Sequence, residues 1–174
     1  MTDAAIIAIA ENCSQLYSFD ISYCFLLTDE SLLALTKCLH LTKIYVDYCG
    51  NLTANALATL AEAVHNILVL HMISVYCDSN SMRRIAVACP LLEKLNCSDT
   101  SIDAESIQSL ATHCPSLREV RLNSCPNLKT SALELLFENC KCLTLLCLGD
   151  SRVEDACLFA IAKYCEKLTD LDIC

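Results

Sequence analysis

The sequence repeats itself every 25 or 26 residues, and this period constrains the fold more than any other feature. A small residue recurs at that spacing along the whole chain; these residues are Cys13, Cys38, Val64, Cys89, Cys114, Cys140 and Cys165. A fixed period of about 20 to 50 residues is typical of solenoids, in which each unit packs only against its neighbours. The period therefore predicts a stack of seven similar units.

Each unit carries the same short apolar pattern. Three residues after the recurring small residue comes a leucine or isoleucine, which we number as position one; these are Leu16, Leu41, Ile67, Leu92, Leu117, Leu143 and Leu168. Apolar residues follow at positions four and six, as at Val120 and Leu122. Alternation with period two predicts a strand there, whereas later residues such as ALELLFENC have helical spacing. Each unit is therefore predicted to be strand, turn and helix.

Residues typical of helix ends mark the unit boundaries. The residues expected just before the helices are Thr28, Thr53, Asp78, Asp103, Lys129 and Glu154, and the first four are good N-caps. Pro90 and Pro115 follow a closing cysteine and discourage helix continuation. One unit is irregular, since Leu35 and Leu41 are six residues apart where the other units use seven. We expect a tighter helix exit there, and a first helix at about residues 2–12.

Stacking such units places parallel strands on one side and helices on the other. Because strands pair about 4.8 Å apart and packed helices need about 8 to 10 Å, the strands are expected on a concave face. With only two glycines and three prolines, the sequence shows no linker. We expect one solenoid over residues 1–174, with a partial repeat at 1–13, six full repeats at 13–165 and a terminal strand at 165–174.

Fifteen cysteines would suit a disulfide scaffold, but those are short secreted chains with an even count, and this chain lacks a secretion signal. Most fall in two columns, the helix end and position nine; the position-nine cysteines are Cys24, Cys49 and Cys125. A thiol is small and carries a weak donor, so it can fill a crowded turn and reach a carbonyl. We predict buried structural thiols in both columns, although oxidation between Cys24 and Cys49 stays open. Cys147 and Cys174, at outward strand positions, are predicted to be the reactive thiols.

Composition and motifs exclude several function classes. A net charge of −9 argues against a nucleic-acid partner, and no apolar stretch approaches the length of a membrane helix. We expect no metal and no cofactor, because no C-x-x-C occurs and the histidines keep no ligand spacing. The chain is not predicted to be an enzyme, since G-x-S-x-G, a phosphate-binding glycine loop and H-E-x-x-H are all missing. His71 and Asp47 could pair on adjacent strands, but a lone exposed histidine is more often a surface hydrogen-bonding group.

The units follow the pattern C-x-x-L-x-x-L-x-L-x-x-C-x-x-L-T-[DA]-x-[AS]-L-x-x-[LI]-A-x-x-C, which closely resembles the cysteine-containing class of leucine-rich repeat over essentially the whole chain. The resemblance implies an α/β, right-handed leucine-rich-repeat solenoid of about seven strand-helix units. The class is best known from F-box proteins with leucine-rich repeats, where it forms the substrate-recognising half of an SCF ubiquitin ligase. It also occurs in repeat-only cell-cycle regulators and in ciliary regulatory-complex proteins.

Two functions therefore stay open, both in the cytoplasm, with nucleus and cilium as further possibilities. The chain is either the substrate-recognition domain of such a ligase or a structural or regulatory subunit of a larger assembly. A Skp adaptor would bind through an F-box, and no segment here matches one. Solenoids need their terminal faces covered, and neither end carries a polar capping unit. We expect the chain to belong to a longer protein or to have its ends covered by a partner.

Outward strand positions three, five, seven and eight are expected to hold a protein partner. The predicted partner-binding residues are Asp20, Tyr23, Lys43, Tyr45, Asp47, Tyr48, His71 and Arg121. Tyrosine and arginine dominate interface hot spots. The alternative is that the tyrosines only pack on one another across the strands. Asp99, Asp150, Asp170 and Asp172 make the second half acidic, which fits either a basic partner or a solvated surface.

Overall fold

The computed structural model describes residues 1–174 and contains one sheet of seven strands. The strands are β1 Ser18–Asp20, β2 Lys43–Tyr45, β3 Val69–His71, β4 Lys94–Asn96, β5 Glu119–Arg121, β6 Leu145–Cys147 and β7 Asp170–Asp172. All of them are parallel and follow one another in chain order, with equivalent residues opposite each other, as Phe19 is to Ile44. Each strand is centred on position four, which confirms the prediction from the apolar alternation.

Seven α-helices alternate with the strands. They are α1 Asp3–Asn12, α2 Asp29–Ala34, α3 Ala54–Val64, α4 Ser79–Ala88, α5 Ala104–His113, α6 Thr130–Asn139 and α7 Asp155–Tyr164. In the irregular unit, α2 continues into a 3-10 helix, Leu35–Lys37, so the predicted tighter exit is confirmed. None of these helices combines the length and apolar character needed to cross a membrane.

Side-chain caps begin four of the helices. The side chains of Thr28, Thr53, Asp78 and Asp103 each accept a hydrogen bond from a backbone N–H in the first helical turn. Lys129 and Glu154 make no such bond. The end of α3 departs from the prediction, because Val64 still belongs to the helix and His65 ends it in the left-handed conformation, at φ 57°.

One continuous cluster of buried apolar side chains runs between the sheet and the helices from α1 to α7. The position-four side chains of β1 to β6 belong to this cluster; Leu95, for example, is fully buried between the neighbouring units. In the last unit, Leu171 at the same position is 46% exposed and Ile173 at position six is 41% exposed. No strand or helix of the described chain packs on the outer side of β7, and the core is open there.

The helix-end cysteines have the predicted structural role, with one exception. The Cys114 thiol donates to the carbonyl of Cys89 at 3.5 Å, and the Cys140 thiol donates to that of Cys114 at 3.5 Å. A thiol therefore satisfies a carbonyl of the preceding unit's helix end. The prediction is wrong for Cys13, which is exposed because no unit of the described residues packs over the outer side of α1.

Position nine makes an equivalent link at the strand end, except at Cys24, where the prediction of a buried thiol is wrong because this residue is only partly buried. The Cys49 thiol donates to the carbonyl of Ile21 at 3.0 Å, and the Ser151 hydroxyl donates to that of Leu122 at 2.6 Å. All fifteen cysteines are free. The prediction of a reactive Cys147 is not supported, because partial burial raises the pKa of its thiol and disfavours the nucleophilic thiolate.

Candidate functional site

The outward side chains of positions three, five, seven and eight form one surface, which we call the sheet face. Asp20 ends β1, Lys43 begins β2, and Tyr45 and His71 end β2 and β3. Tyr23, Asp47 and Tyr48 lie in the turns that follow β1 and β2. Seven of the eight predicted residues therefore lie in the first three units. Arg121 ends β5 and is separated from His71 by β4.

Three exposed aromatic rings gather at the turns after β1 and β2. The rings of Tyr23 and Tyr48 are stacked, with centroids 4.9 Å apart and planes 18° apart. Phe25 stands edge-on to Tyr23 with its centroid at 6.5 Å. Tyr23 is 62% exposed, Phe25 61% and Tyr48 37%. We call these three residues the aromatic cluster.

Sequence reasoning missed Phe25. It lies at position ten, beyond the strand columns, where a turn residue is expected to be polar. The signal that could have found it is the apolar run Phe25-Leu26-Leu27, which is longer than the single buried Leu27 requires, and Leu26 is also 71% exposed.

The two tyrosines of the cluster occupy left-handed backbone positions. Tyr23 has φ 61° and Tyr48 has φ 57°, and every other described position-eight residue is left-handed as well: Ser74, Asp99, Ser124 and Asp150. The turn is held by bonds between units, because the Tyr23 N–H donates to the carbonyl of Asp47 at 2.8 Å. Left-handed backbone costs a non-glycine residue about 1–2 kcal/mol, and a bulky side chain is uncommon there.

The later units place serine or aspartate at this position, and aspartate tolerates the left-handed region better than most residues. Backbone preference therefore does not explain the tyrosines of the first two units. Stacking between the rings offsets part of the strain, by about 0.5–1.5 kcal/mol for an aromatic pair. Their remaining exposure leaves ring surface free for contact with another molecule.

Tyr45 has a different environment from Tyr23 and Tyr48. Its ring packs edge-on against the ring of His71, its neighbour across the strands, with centroids 4.9 Å apart. Both residues are half-buried. Packing across strands accounts for this pair, as the alternative reading of the tyrosines proposed, whereas the stacked pair remains accessible.

His71 and Asp47 come together, but not as a strong ion pair. The Nδ1 atom of His71 lies 3.8 Å from Oδ2 of Asp47, whose Oδ1 accepts the backbone N–H of Ile73 at 2.8 Å. Burial lowers the pKa of His71 below its ordinary 6.5, against the attraction of Asp47. Burial also raises the pKa of Asp47. Burial thus disfavours the charged form of both side chains, and the lowered pKa of His71 favours an uncharged imidazole at neutral pH.

The charges of the middle units are already paired. Glu119 accepts from Lys94 at 2.6 Å and also lies 3.3 Å from the Arg121 guanidinium. Lys94 and Glu119 were not among the predicted residues, since a paired charge has no signature in a single column. Arg121 is thus engaged within the sheet face rather than free. Further along, Asp170 and Asp172 are exposed.

Comparison with known proteins supports the fold. No protein-family model and no curated protein sequence matches the chain. Among solved structures, the chain is similar to an internalin, inlF from Listeria monocytogenes, with 19% identity and a TM-score of 0.65 over 97% of this chain. It is also similar to TLR13 in a TLR13–ssRNA13 complex, with 17% identity and a TM-score of 0.63 over 92% of this chain.

A third similar structure is the complex of Rad7 and Elc1 in yeast, with 15% identity and a TM-score of 0.51 over 99% of this chain. The chain spans 50% of the internalin, 22% of the TLR13 chain and 66% of the chain matched in the yeast complex. These are leucine-rich-repeat proteins, and at such low identity the likeness shows the fold alone. The chain therefore has the leucine-rich-repeat solenoid fold, a scaffold typical of interaction domains.

Proposed function

We propose that this chain is a protein-binding module whose partner docks on the first three units of the sheet face. The observation that carries the proposal is the aromatic cluster, in which two tyrosines occupy left-handed turns and keep their rings accessible. Tyrosine contributes large contact area at small entropic cost, which is why it dominates interface hot spots. The proposed contact residues are the stacked Tyr23 and Tyr48, with Asp20 and Asp47 at the same end of the strands and Lys43 at the start of β2.

More specifically, the proposed role is substrate recognition in an F-box type SCF ubiquitin ligase, in the cytoplasm. The cysteine columns support it, because they follow the repeat class best known from those proteins. In that role the chain has no catalytic residues of its own. It binds the substrate, while a Skp adaptor binds an F-box outside these 174 residues.

A second candidate is a fixed structural or regulatory subunit of a larger assembly, ciliary, cytoskeletal or part of a cell-cycle regulator. The repeat class supports it as well, because that class also occurs in repeat-only cell-cycle regulators and in ciliary regulatory-complex proteins. The two roles differ in what co-purifies with the full-length protein from cells. A Skp adaptor and a cullin support the ligase role, whereas a stoichiometric complex without either supports the structural one.

The binding surface is tested by display selection. Peptides and small domains selected on the 174-residue chain are measured against the double variant Tyr23→Ala/Tyr48→Ala. We expect at least a tenfold loss of affinity, with a urea unfolding curve that shows the variant still folded. The matched control is Leu91→Ala/Phe159→Ala, which removes two residues that are 52% and 75% exposed outside the sheet face. Equal loss in both variants, or none in the first, contradicts the proposal.

A further inference from the structure

We propose that the aromatic cluster, together with Asp20 and Asp47, recognises an arginine side chain of the partner. This inference rests on the proposed function and specifies its chemistry. It combines two features of the same surface: carboxylates with no strong cation beside them, and accessible ring faces.

The sheet-face carboxylates of the first two units, Asp20 and Asp47, lack lysine or arginine partners. Asp20 is exposed and accepts only the backbone N–H of Ser22, at 2.9 Å, within its own turn. No lysine or arginine nitrogen of the chain lies within 4.0 Å of Asp20 or Asp47, and the only ring nitrogen near Asp47 is that of His71. This end of the sheet face therefore carries uncompensated negative charge.

The nearest lysine of the sheet face does not neutralise this charge. Lys43 begins β2, at the opposite end of the strand from Asp47, and its Nζ lies 6.0 Å from the centroid of the Tyr17 ring. The other cations of the sheet face, Lys94 and Arg121, are bound to Glu119. The paired middle units thus contrast with the unpaired first units, and a cationic partner is the charge that fits there.

The aromatic cluster narrows this cation to arginine. The Tyr23 and Tyr48 rings hold each other in place, and Phe25 stands edge-on beside them, so the exposed surface of Tyr23 needs little ordering when a partner binds. A guanidinium is flat, stacks on aromatic rings and can donate two parallel hydrogen bonds to a carboxylate. A lysine ammonium has the same charge, but it is not flat and cannot donate two parallel hydrogen bonds to one carboxylate.

Other ligands fit less well. An anion would be repelled by Asp20 and Asp47. A purely apolar segment would bury Asp20 without a partner, which is unfavourable. A metal ion lacks a ligand set, because the described chain holds no group of three or more His, Cys, Asp or Glu side chains able to bind one.

The inference is tested by NMR titration of the 174-residue chain with N-acetyl-arginine methylamide. The matched probe is N-acetyl-citrulline methylamide, which has the same shape without the charge. We expect saturable shifts of the Tyr23 and Tyr48 ring signals with the arginine probe, at least fivefold weaker binding of the lysine analogue, and no saturation with citrulline. Raising the salt concentration is expected to weaken the arginine titration.

Two variants locate the site. Asp20→Asn keeps an oxygen that can accept the Ser22 N–H, so the turn is retained, and we expect at least fivefold weaker binding of the arginine probe. Asp170→Asn removes another exposed carboxylate, on β7, and is expected to leave the affinity for the arginine probe unchanged. Equal binding of arginine and citrulline, no saturable shift at these rings, or an unchanged affinity in Asp20→Asn overturns the inference.

The display selection separates this inference from the proposed function. If the selected partners lose affinity in the tyrosine variant but bind equally well after their arginines are replaced by glutamine, the arginine inference fails and the binding surface stands. If they are insensitive to the tyrosine variant, the proposed surface itself fails.

Discussion

Cysteine acts in this chain as a small residue with one weak donor. The Cys49 and Cys114 thiols each reach a carbonyl of the preceding unit, and burial raises the pKa of Cys89 and of Cys140 to about 12. A thiolate is therefore disfavoured at these buried helix-end positions. The side chain closes the turn by its size and its donor, and its reactivity is suppressed by the same burial.

The raised thiol pKa predicts alkaline instability. The folded pKa of Cys89 lies above its ordinary 9.0, so the unfolded state loses the proton first. The stability that this thiol contributes is full below about pH 9 and is lost as pH rises toward 12. In this pH window one buried thiol adds up to about 1.4 kcal/mol per pH unit to the decrease in the free energy of unfolding.

Urea unfolding between pH 8 and pH 10 measures this effect. We expect the free energy of unfolding to decrease less steeply with pH in Cys89→Ala than in the wild type, because one linked proton has been removed. Val64→Ala is the matched control, since Val64 is buried in the same helix-end column and carries no thiol, so its loss should leave the slope unchanged. Parallel pH curves for all three proteins would contradict the linkage.

The left-handed tyrosines make a second prediction at this scale. Tyr48→Asn should keep the free energy of unfolding within about 1 kcal/mol of wild type, because relief of about 1–2 kcal/mol of strain offsets the lost stacking. Tyr45→Asn is the control, since Tyr45 is not left-handed and packs on His71. We expect it to be the more destabilised in urea, and the reverse order would argue against strain at position eight.

At the scale of the element, the N-cap residue before each helix decides how favourably that helix begins. Asp78 and Asp103 cap α4 and α5 by accepting N–H bonds at 2.7 and 3.0 Å. Lys129 occupies the same place before α6 and offers no acceptor. Its positive charge also opposes the positive end of the helix dipole. The entry of α6 is thus less favourable than those of α4 and α5.

Lys129→Asp is therefore expected to stabilise the protein by about 1 kcal/mol, since it supplies the missing acceptor and a favourable charge. The measurement is the urea midpoint at pH 7. Lys167→Asp makes the same charge change in an exposed turn after α7, outside any cap, and should have a much smaller effect. Equal stabilisation by both variants would mean that net charge, and not capping, is responsible.

At the scale of the whole molecule, each unit is covered only by its neighbours. Every strand pairs with the strands beside it in the chain, and the core runs through all seven units without a second layer. A side chain therefore gains burial from the units on both of its sides. Leu95 is covered by a neighbouring unit on each side, whereas Leu171 is covered by a unit on one side only.

Position four makes this difference measurable. Leu95→Ala removes a fully buried side chain and is expected to cost about 2–5 kcal/mol of unfolding free energy. Leu171→Ala removes the equivalent side chain at 46% exposure and should cost less than about 1 kcal/mol. Urea unfolding of the two variants tests the order. Similar losses would mean that the β7 edge is covered in solution, for example by a second copy of the chain.

The repeat period and its apolar columns predicted the strands, the helices and their order. A solenoid buries equivalent positions in every unit, so apolar residues recur in the sequence with the repeat period. The same logic found the four good caps and the roles of Cys49 and Cys114. It did not find Phe25 or Lys94, since an exposed ring and a paired surface charge follow no period.

The sequence by itself determined the stack: which residues face inward, where each helix starts, and which thiols close the turns. Only the tertiary structure decided the candidate site. The left-handed turns at Tyr23 and Tyr48, each held by a bond to the next unit, bring two rings 25 residues apart into one stack beside Asp20. The physical reason is that inward positions obey the hydrophobic pattern, whereas outward side chains are placed by backbone angles and by neighbours distant in the chain.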